Sequence, residues 1–167
     1  MKLFLTILLL SFYSISKAQE DSLSIKKNSI YIEILGVGGY GSVNFEREIL
    51  KIKKIKIGTR LGITTYNLTD FTTKFNPDLI IPISINAQYG NKHNLEISLG
   101  QVISFIVETN PNTYTPERTT NIHPNLTVGY RYQKTKGGFI FRINYSPIIE
   151  FYQDYKHWGG ISFGYAF

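Results

Sequence analysis

With 167 residues, 14 % aromatics, only 18 % charged residues, 14 Gly and 12 Tyr, the chain has room for one domain, and its composition suits an all-β protein better than a helical one. The absence of Cys excludes disulfides, thiolate zinc sites and a lipid-modified N-terminal cysteine. The formal charge of +6, which drops to +4 once Lys2 and Lys17 leave with a cleaved leader, is too mild to point to nucleic acid.

Residues 1–18 have the three parts of a secretory signal. Lys2 supplies the positive start, residues 3–10 are almost wholly apolar, and Ser16-Lys17-Ala18 puts small residues where a signal peptidase reads, with cleavage before Gln19. The apolar part is too short for a comfortable membrane anchor, and no later run is long enough for a transmembrane helix. Residues 19–29 read as a short periplasmic segment ahead of the folded domain.

Eight alternating segments follow, with apolar residues on one parity and polar or tiny residues on the other. The first, 30–37, is irregular around Glu33, and the second, 40–47, sets Val43 and Phe45 against Ser42, Asn44 and Glu46. In the third, 55–65, Ile55, Ile57, Leu61 and Ile63 oppose Lys56, Gly58, Arg60 and Gly62. The fourth, 81–88, opposes Ile81, Ile83 and Ile85 to Pro82, Ser84 and Asn86, and the fifth, 95–100, opposes Leu95, Ile97 and Leu99 to Glu96, Ser98 and Gly100. The remaining three, 125–132, 139–146 and 160–167, continue the pattern with Tyr130, Phe141 and Phe163 on the apolar parity, and Arg131, Arg142 and Ser162 on the other.

Connection lengths alternate as well. Short basic or glycine-rich turns are expected at 49–54, 90–93 and 134–138, and long polar loops at 66–78, 106–121 and 150–157. The cluster Lys51, Lys53, Lys54 and Lys56 reads as a solvated turn. The connection at Gly38-Gly39 is short where the alternation asks for length. Short turns inside, long loops outside and an even strand count describe an eight-stranded antiparallel up-and-down transmembrane β-barrel in the bacterial outer membrane.

A soluble, lipocalin-like barrel shows the same alternation with the faces exchanged. Three features favour the membrane orientation. The polar parity is built of Gly, Ser and Asn, which suit a narrow interior rather than a water-facing surface. Its charges balance: Glu33, Glu46 and Glu96 can neutralise Arg60, Arg131 and Arg142 in one plugged lumen, with Glu33 or Glu96 within ion-pair reach of Arg131 or Arg142. Finally, Tyr130, Tyr132, Tyr145, Trp158 and Tyr165 fall near strand ends, where aromatic girdles meet head groups. Phe167 ends the last amphipathic strand on its aromatic register and is similar to the signal read by the barrel-assembly machinery.

The blocks YIEILGVGGYGSVNFER at 31–47, GYRYQKTKGGFIFRINYSP at 129–147 and WGGISFGYAF at 158–167, with the leader ending Ala18-Gln19, resemble a group of uncharacterised small outer-membrane proteins common in Bacteroidota. The resemblance implies a location and a barrel fold. It supplies no substrate and no catalytic residues.

Candidates for chemistry are weak. His93 belongs to a turn, and His123 and His157 to the loop end, about 25 Å away across the apolar band, so the three cannot share a metal. His123, His157 and Asp154 form at best a rim grouping without ligand spacing. Ser146 with His157 and Glu150 or Asp154 is the one group worth testing for a lipid-acting hydrolase, although Ser is a common filler of polar barrel interiors. The stretch from Gly36 to Gly41 lacks the helix and lysine of a phosphate loop and reads as a hairpin. The sequons at Asn67, Asn125 and Asn144 carry little meaning in a bacterial chain. No cofactor is implied. The expected partners are outer-membrane lipid, the assembly machinery and an extracellular ligand of the loops, above all the 109–120 stretch with Pro111, Tyr114, Pro116 and Arg118.

Overall fold

The computed structural model describes residues 27–147 and 157–167. The leader at 1–18, most of the 19–29 segment and most of the 150–157 loop, with Glu150 and Asp154, therefore lie outside the described residues. Eight strands follow one another: β1 (Asn28–Leu35), β2 (Gly41–Ile52), β3 (Ile55–Ile63), β4 (Leu79–Gly90), β5 (His93–Thr109), β6 (Pro116–Gln133), β7 (Gly138–Tyr145) and β8 (Gly159–Ala166). Each pairs antiparallel with its sequence neighbours, and β1 pairs with β8 from Ser29 opposite Ala166 to Leu35 opposite Gly160. The sheet closes on itself, which leaves no open edge among these strands.

The strands turn their large apolar residues outward. Ile85 and Leu99 are 60 % and 63 % exposed, and Ile32, Phe45, Leu61 and Phe163 stand on the same outer surface. The intervening residues, from Ser29, Glu33 and Asn44 through Arg60, Ser84, Glu96 and Arg131 to Ser162, are buried inside. This is the reverse of a ligand-carrying soluble barrel, whose apolar parity must point inward. Inward glycines make room for the larger side chains: a Cβ at Gly129 would overlap the Ile143 carbonyl, and one at Gly164 would overlap Tyr31.

The strand boundaries depart from the alternation at informative places. β1 starts at Asn28 and stops at Leu35, short of residue 37, because Leu35, Gly36 and Gly39 take positive φ. The connection becomes a tight 36–40 turn closed by Leu35 N–H to the Tyr40 carbonyl at 3.0 Å. β2 runs on to Ile52 through a bulge between Glu48 and Leu50, so the expected 49–54 turn shrinks to Lys53-Lys54. The largest difference is the 106–121 loop. β5 and β6 stay paired from His93 opposite Tyr132 out to Thr109 opposite Pro116, leaving only residues 110–115 as connection. Composition was misleading here, since a two-stranded ribbon outside the apolar band needs no apolar parity. At the other end, Asn28 and Phe167 exchange backbone hydrogen bonds at 2.8 and 3.1 Å, which keeps Phe167 in the ladder.

Candidate functional site

The interior is built from side chains that point inward from all eight strands, and the charged ones meet. Arg131 on β6 and Arg142 on β7 are direct cross-strand neighbours, a placement that repels unless an anion intervenes. Glu96 on β5 supplies it: one carboxylate oxygen lies 3.2 Å from Arg131 Nη1 and the other accepts from Arg142 Nη2. Arg131 Nη1 also donates to both oxygens of Glu46, at 2.7 and 2.8 Å. On the opposite side, Glu33 Oε1 lies 3.8 Å from Arg142 Nη1 and 3.7 Å from Arg60 Nη1. The six charges thus form one continuous chain of alternating sign, Arg60–Glu33–Arg142–Glu96–Arg131–Glu46. Its side chains are almost wholly buried, with Glu33 at 0 % and Arg131 and Arg142 at 1 % exposure.

Neutral groups finish the network. Asn144 donates to Glu33 at 2.9 Å, Gln88 to Glu46 at 3.2 Å, Arg60 Nε to Ser84 at 3.0 Å and Arg131 Nε to Gln133 at 2.8 Å. The Arg142 guanidinium lies over the Tyr31 ring, 4.6 Å from its centroid. Such partners are what a buried charge needs, because removing ions from water costs several kcal/mol each; Glu33 Oε2, both Arg60 Nη atoms and Arg142 Nε make no hydrogen bond and are held by charge alone.

Lys56 and Tyr31 are among the members of the interior that were missed from the sequence. Lys56 is not part of a solvated turn: it is buried, and its Nζ donates to Asn94 Oδ1 at 2.9 Å and to the Asn91 carbonyl at 3.1 Å. Its position on the parity of Gly58 and Arg60 was the available signal. Tyr31 points inward against its apolar character, which the irregular alternation near Glu33 concealed.

The aromatic residues divide. Tyr130, Tyr145, Tyr165 and Phe167 stand exposed on the outer surface, and half-buried Tyr132 packs edge-on against His93, with centroids 5.4 Å apart. Trp158 is a correction. It shares the inward parity of Gly160 and Ser162, its indole N–H donates to the Gly36 carbonyl at 2.9 Å, and it lines the mouth of the barrel instead of an outer girdle. That mouth is a cavity of about 570 Å³ at the loop end of the lumen.

The three histidines occupy separate places. His93 Nδ1 pairs with the Tyr130 hydroxyl at 2.6 Å at the turn end, and His123 lines the mouth from within β6. His157 Nδ1 meets the Tyr145 hydroxyl at 2.9 Å on the outer side. Ser146 is buried on the inner side and donates to Asn144 at 3.2 Å. Its hydroxyl is thus spent on the lumen side, whereas the His157 ring is held by Tyr145.

Beyond the barrel rim the 66–78 loop is structured. Thr69 bridges Phe75, and the hydrogen bonds that the Thr72 hydroxyl, Asn76 and the Thr72 and Lys74 amides give Asp70 hold its carboxyl below the usual carboxylate range. Burial raises the Tyr66 phenol above its ordinary value, aided by Tyr40. Asp78, buried, accepts from Val107 N–H at 2.8 Å and from Asn67 at 3.0 Å. Arg118 donates to Asn76 Oδ1 at 2.7 Å and to the Pro77 carbonyl at 3.2 Å. Loop and hairpin are thereby tied into one unit.

No protein-family model and no curated protein matches the chain. Solved structures match in fold. The N-terminal β-barrel domain of Pseudomonas aeruginosa OprF superposes with a TM-score of 0.54 at 14 % identity, over 84 % of this chain and 98 % of that one. The outer-membrane protein Ail of Yersinia pestis, determined in phospholipid bilayer nanodiscs, gives 0.50 at 11 % identity over 85 % and 99 %. Ail in complex with the heparin analogue sucrose octasulfate gives 0.53 at 10 % identity over 85 % and 98 %.

Proposed function

We propose that this chain is a non-enzymatic outer-membrane β-barrel, its lumen plugged by its own ion-paired side chains, that serves envelope structure or extracellular contact through its loops. The observation that carries the reading is its sidedness: large apolar residues outside, a charge chain inside. In water an apolar belt around the whole molecule is unfavourable by ~25 cal/mol per Å² and far exceeds the patches that soluble monomers expose. In lipid the same belt is solvated, and closure of the sheet meets the requirement that every backbone group be satisfied internally. The fold likeness to OprF and to Ail, the latter determined in a lipid bilayer, supports this reading.

The turn end then faces the periplasm, and the 66–78 loop, the β5–β6 hairpin and the 150–157 region face outside. Residues 1–18 are the export signal and residues 19–27 precede the barrel in the periplasm. The barrel-assembly machinery engages β8 and Phe167, and membrane lipid is the permanent partner of the outer surface. The resemblance to small Bacteroidota barrels belongs to this reading.

The test is gel mobility of the outer-membrane fraction with and without boiling, followed by current recordings across a planar bilayer. The expected result is a heat-dependent shift of protein that carbonate does not extract, and no steady conductance. Recovery as a soluble, unshifted band would overturn the membrane reading, and a stable open channel would overturn the plug.

A further inference from the structure

We propose that the turn end of the barrel is a collar for anionic phospholipid head groups, with a hollow between the β2–β3 and β4–β5 turns as its seat. The proposal rests on the membrane-barrel reading, which puts this end in the periplasmic leaflet.

Three observations carry it. The first is where the charge lies. The three turns of this end carry Lys53 and Lys54, Lys92, and Lys134 and Lys136, all exposed. Among the described residues none of these five lysines is ion-paired. The half-buried Glu48 carboxylate toward this end answers Lys51 and Lys56 first. The loop end is the opposite, with Asp70, Asp78, Glu108 and Glu117 against Lys74 and Arg118. The excess of cations is therefore confined to one rim. The turns stand at alternate strand junctions of a closed sheet, so the charge runs around that rim. A lipid leaflet meets the barrel on all sides in the same way, whereas a docked protein covers one patch.

The second observation is the hollow itself, about 440 Å³ in volume and lined by Lys54, Tyr89, Gly90, Asn91, Lys92 and His93. Gly90 N–H donates to the Lys54 carbonyl at 2.9 Å and joins the two turns. Gly90 takes a φ of +141°, and a Cβ there would overlap the His93 carbonyl, so the turn is held tight. Lys92 Nζ lies 5.4 Å from the centroid of the Tyr132 ring, and His93 Nδ1 pairs with the Tyr130 hydroxyl at 2.6 Å. Two ammonium groups and an imidazole beside one hollow suit the charged oxygens of a phosphate.

The third observation selects a lipid over a soluble anion. Ile55 on β3, Tyr89 on β4, Leu95 on β5 and Tyr130 on β6 pair in series across the outer face, and all four are exposed. Lys54 directly precedes Ile55, and His93 lies two residues before Leu95. A head group seated in the hollow has its acyl chains against this row. A free phosphate leaves the row unused, and a zwitterionic head group brings no net charge to the lysines.

The experiment reconstitutes the full barrel in nanodiscs of phosphatidylcholine with a minor share of phosphatidylglycerol of the same acyl chains. Lipid retained on release into detergent is counted by native mass spectrometry. We expect phosphatidylglycerol to be retained preferentially, and the preference to fall at high salt. Lys54→Gln with Lys92→Gln is expected to cut it about tenfold, while Lys74→Gln at the loop end keeps it. The heat-dependent gel shift of each variant separates lost binding from lost folding. Glycerophosphoglycerol, the same head group without chains, and inorganic phosphate are added at matched ionic strength, and displacement of the lipid by either would overturn the lipid assignment. Equal retention of both lipids by the folded barrel would overturn the proposal and leave the membrane reading standing; it is the result if Glu20 and Asp21, ahead of β1, neutralise the collar. An undiminished preference in the double variant would overturn it too. Soluble polyglutamate is tested on the same nanodiscs, and a double variant that loses polyglutamate but keeps the lipid preference would overturn the proposal in favour of an acidic protein. A chain that is soluble and unshifted would overturn the membrane reading instead.

Discussion

Glu96 shows how one residue makes an otherwise repulsive arrangement stable. Arg131 and Arg142 face each other across adjacent strands, and the Glu96 carboxylate takes one from each side. Truncation by Glu96→Ala leaves two buried cations opposed, and a buried pair broken on one side costs about 3–5 kcal/mol. We therefore expect the single variant to lower unfolding stability by that amount, measured by urea titration in lipid vesicles. Adding Arg142→Met removes the uncompensated cation and is expected to recover part of the loss, a non-additivity diagnostic of direct coupling. Equal losses in single and double variants would mean that the carboxylate acts elsewhere.

Among the elements, the β5–β6 hairpin departs most from the barrel. Seventeen and eighteen residues long, its strands outrun their neighbours and are held at the rim by Asp78 of the neighbouring loop, which accepts from Val107 N–H at 2.8 Å, and by Arg118 of β6, which donates to Asn76 of that loop. A buried carboxylate spent on one backbone N–H and one side-chain amide acts as a local clasp. Asp78→Ala is expected to free the overhang at a local cost of about 1–3 kcal/mol, seen as faster amide exchange at Val107 and quicker proteolysis within 104–121. The barrel's own unfolding midpoint should stay in place, because the closed ladder below does not use Asp78. A matching fall of that midpoint would show that hairpin and barrel unfold as one unit.

For the whole molecule, the decisive property is which face meets the solvent. Ile97 stands outward between Leu95 and Leu99, paired across to Ala87 and Val128. An arginine at mid-depth on a lipid face costs about 2–4 kcal/mol. Ile97→Arg is expected to destabilise the barrel by this much in vesicles. In water, an outward charge on a soluble barrel would be nearly neutral or improve solubility, so the sign of the effect tests the membrane reading independently of fractionation. The apolar belt and the balanced interior work together here. In lipid such a belt is accepted, and the chain of three arginines and three glutamates carries no net charge through the low-dielectric lumen.

Strand number, pairing order and the inward parity were legible in the sequence because a period of two in side-chain direction is a local property of an extended chain. Glu33, Arg60, Glu96, Arg131 and Arg142 could be picked as interior residues for that reason alone. The hairpin overhang escaped, since a ribbon outside the belt has no apolar face to mark it, and so did the true ends of β1, which depend on positive φ at Leu35 and the neighbouring glycines. Trp158 was misread because its chemistry suggested a girdle while its parity pointed inward. Only the closed tertiary structure decided who meets whom. The order of the charge chain joins residues as far apart as Glu46 and Arg131, and the mouth cavity joins Tyr40, Tyr66, Asn125 and Trp158. Such meetings follow from the stagger of eight strands around a barrel, which no local pattern encodes.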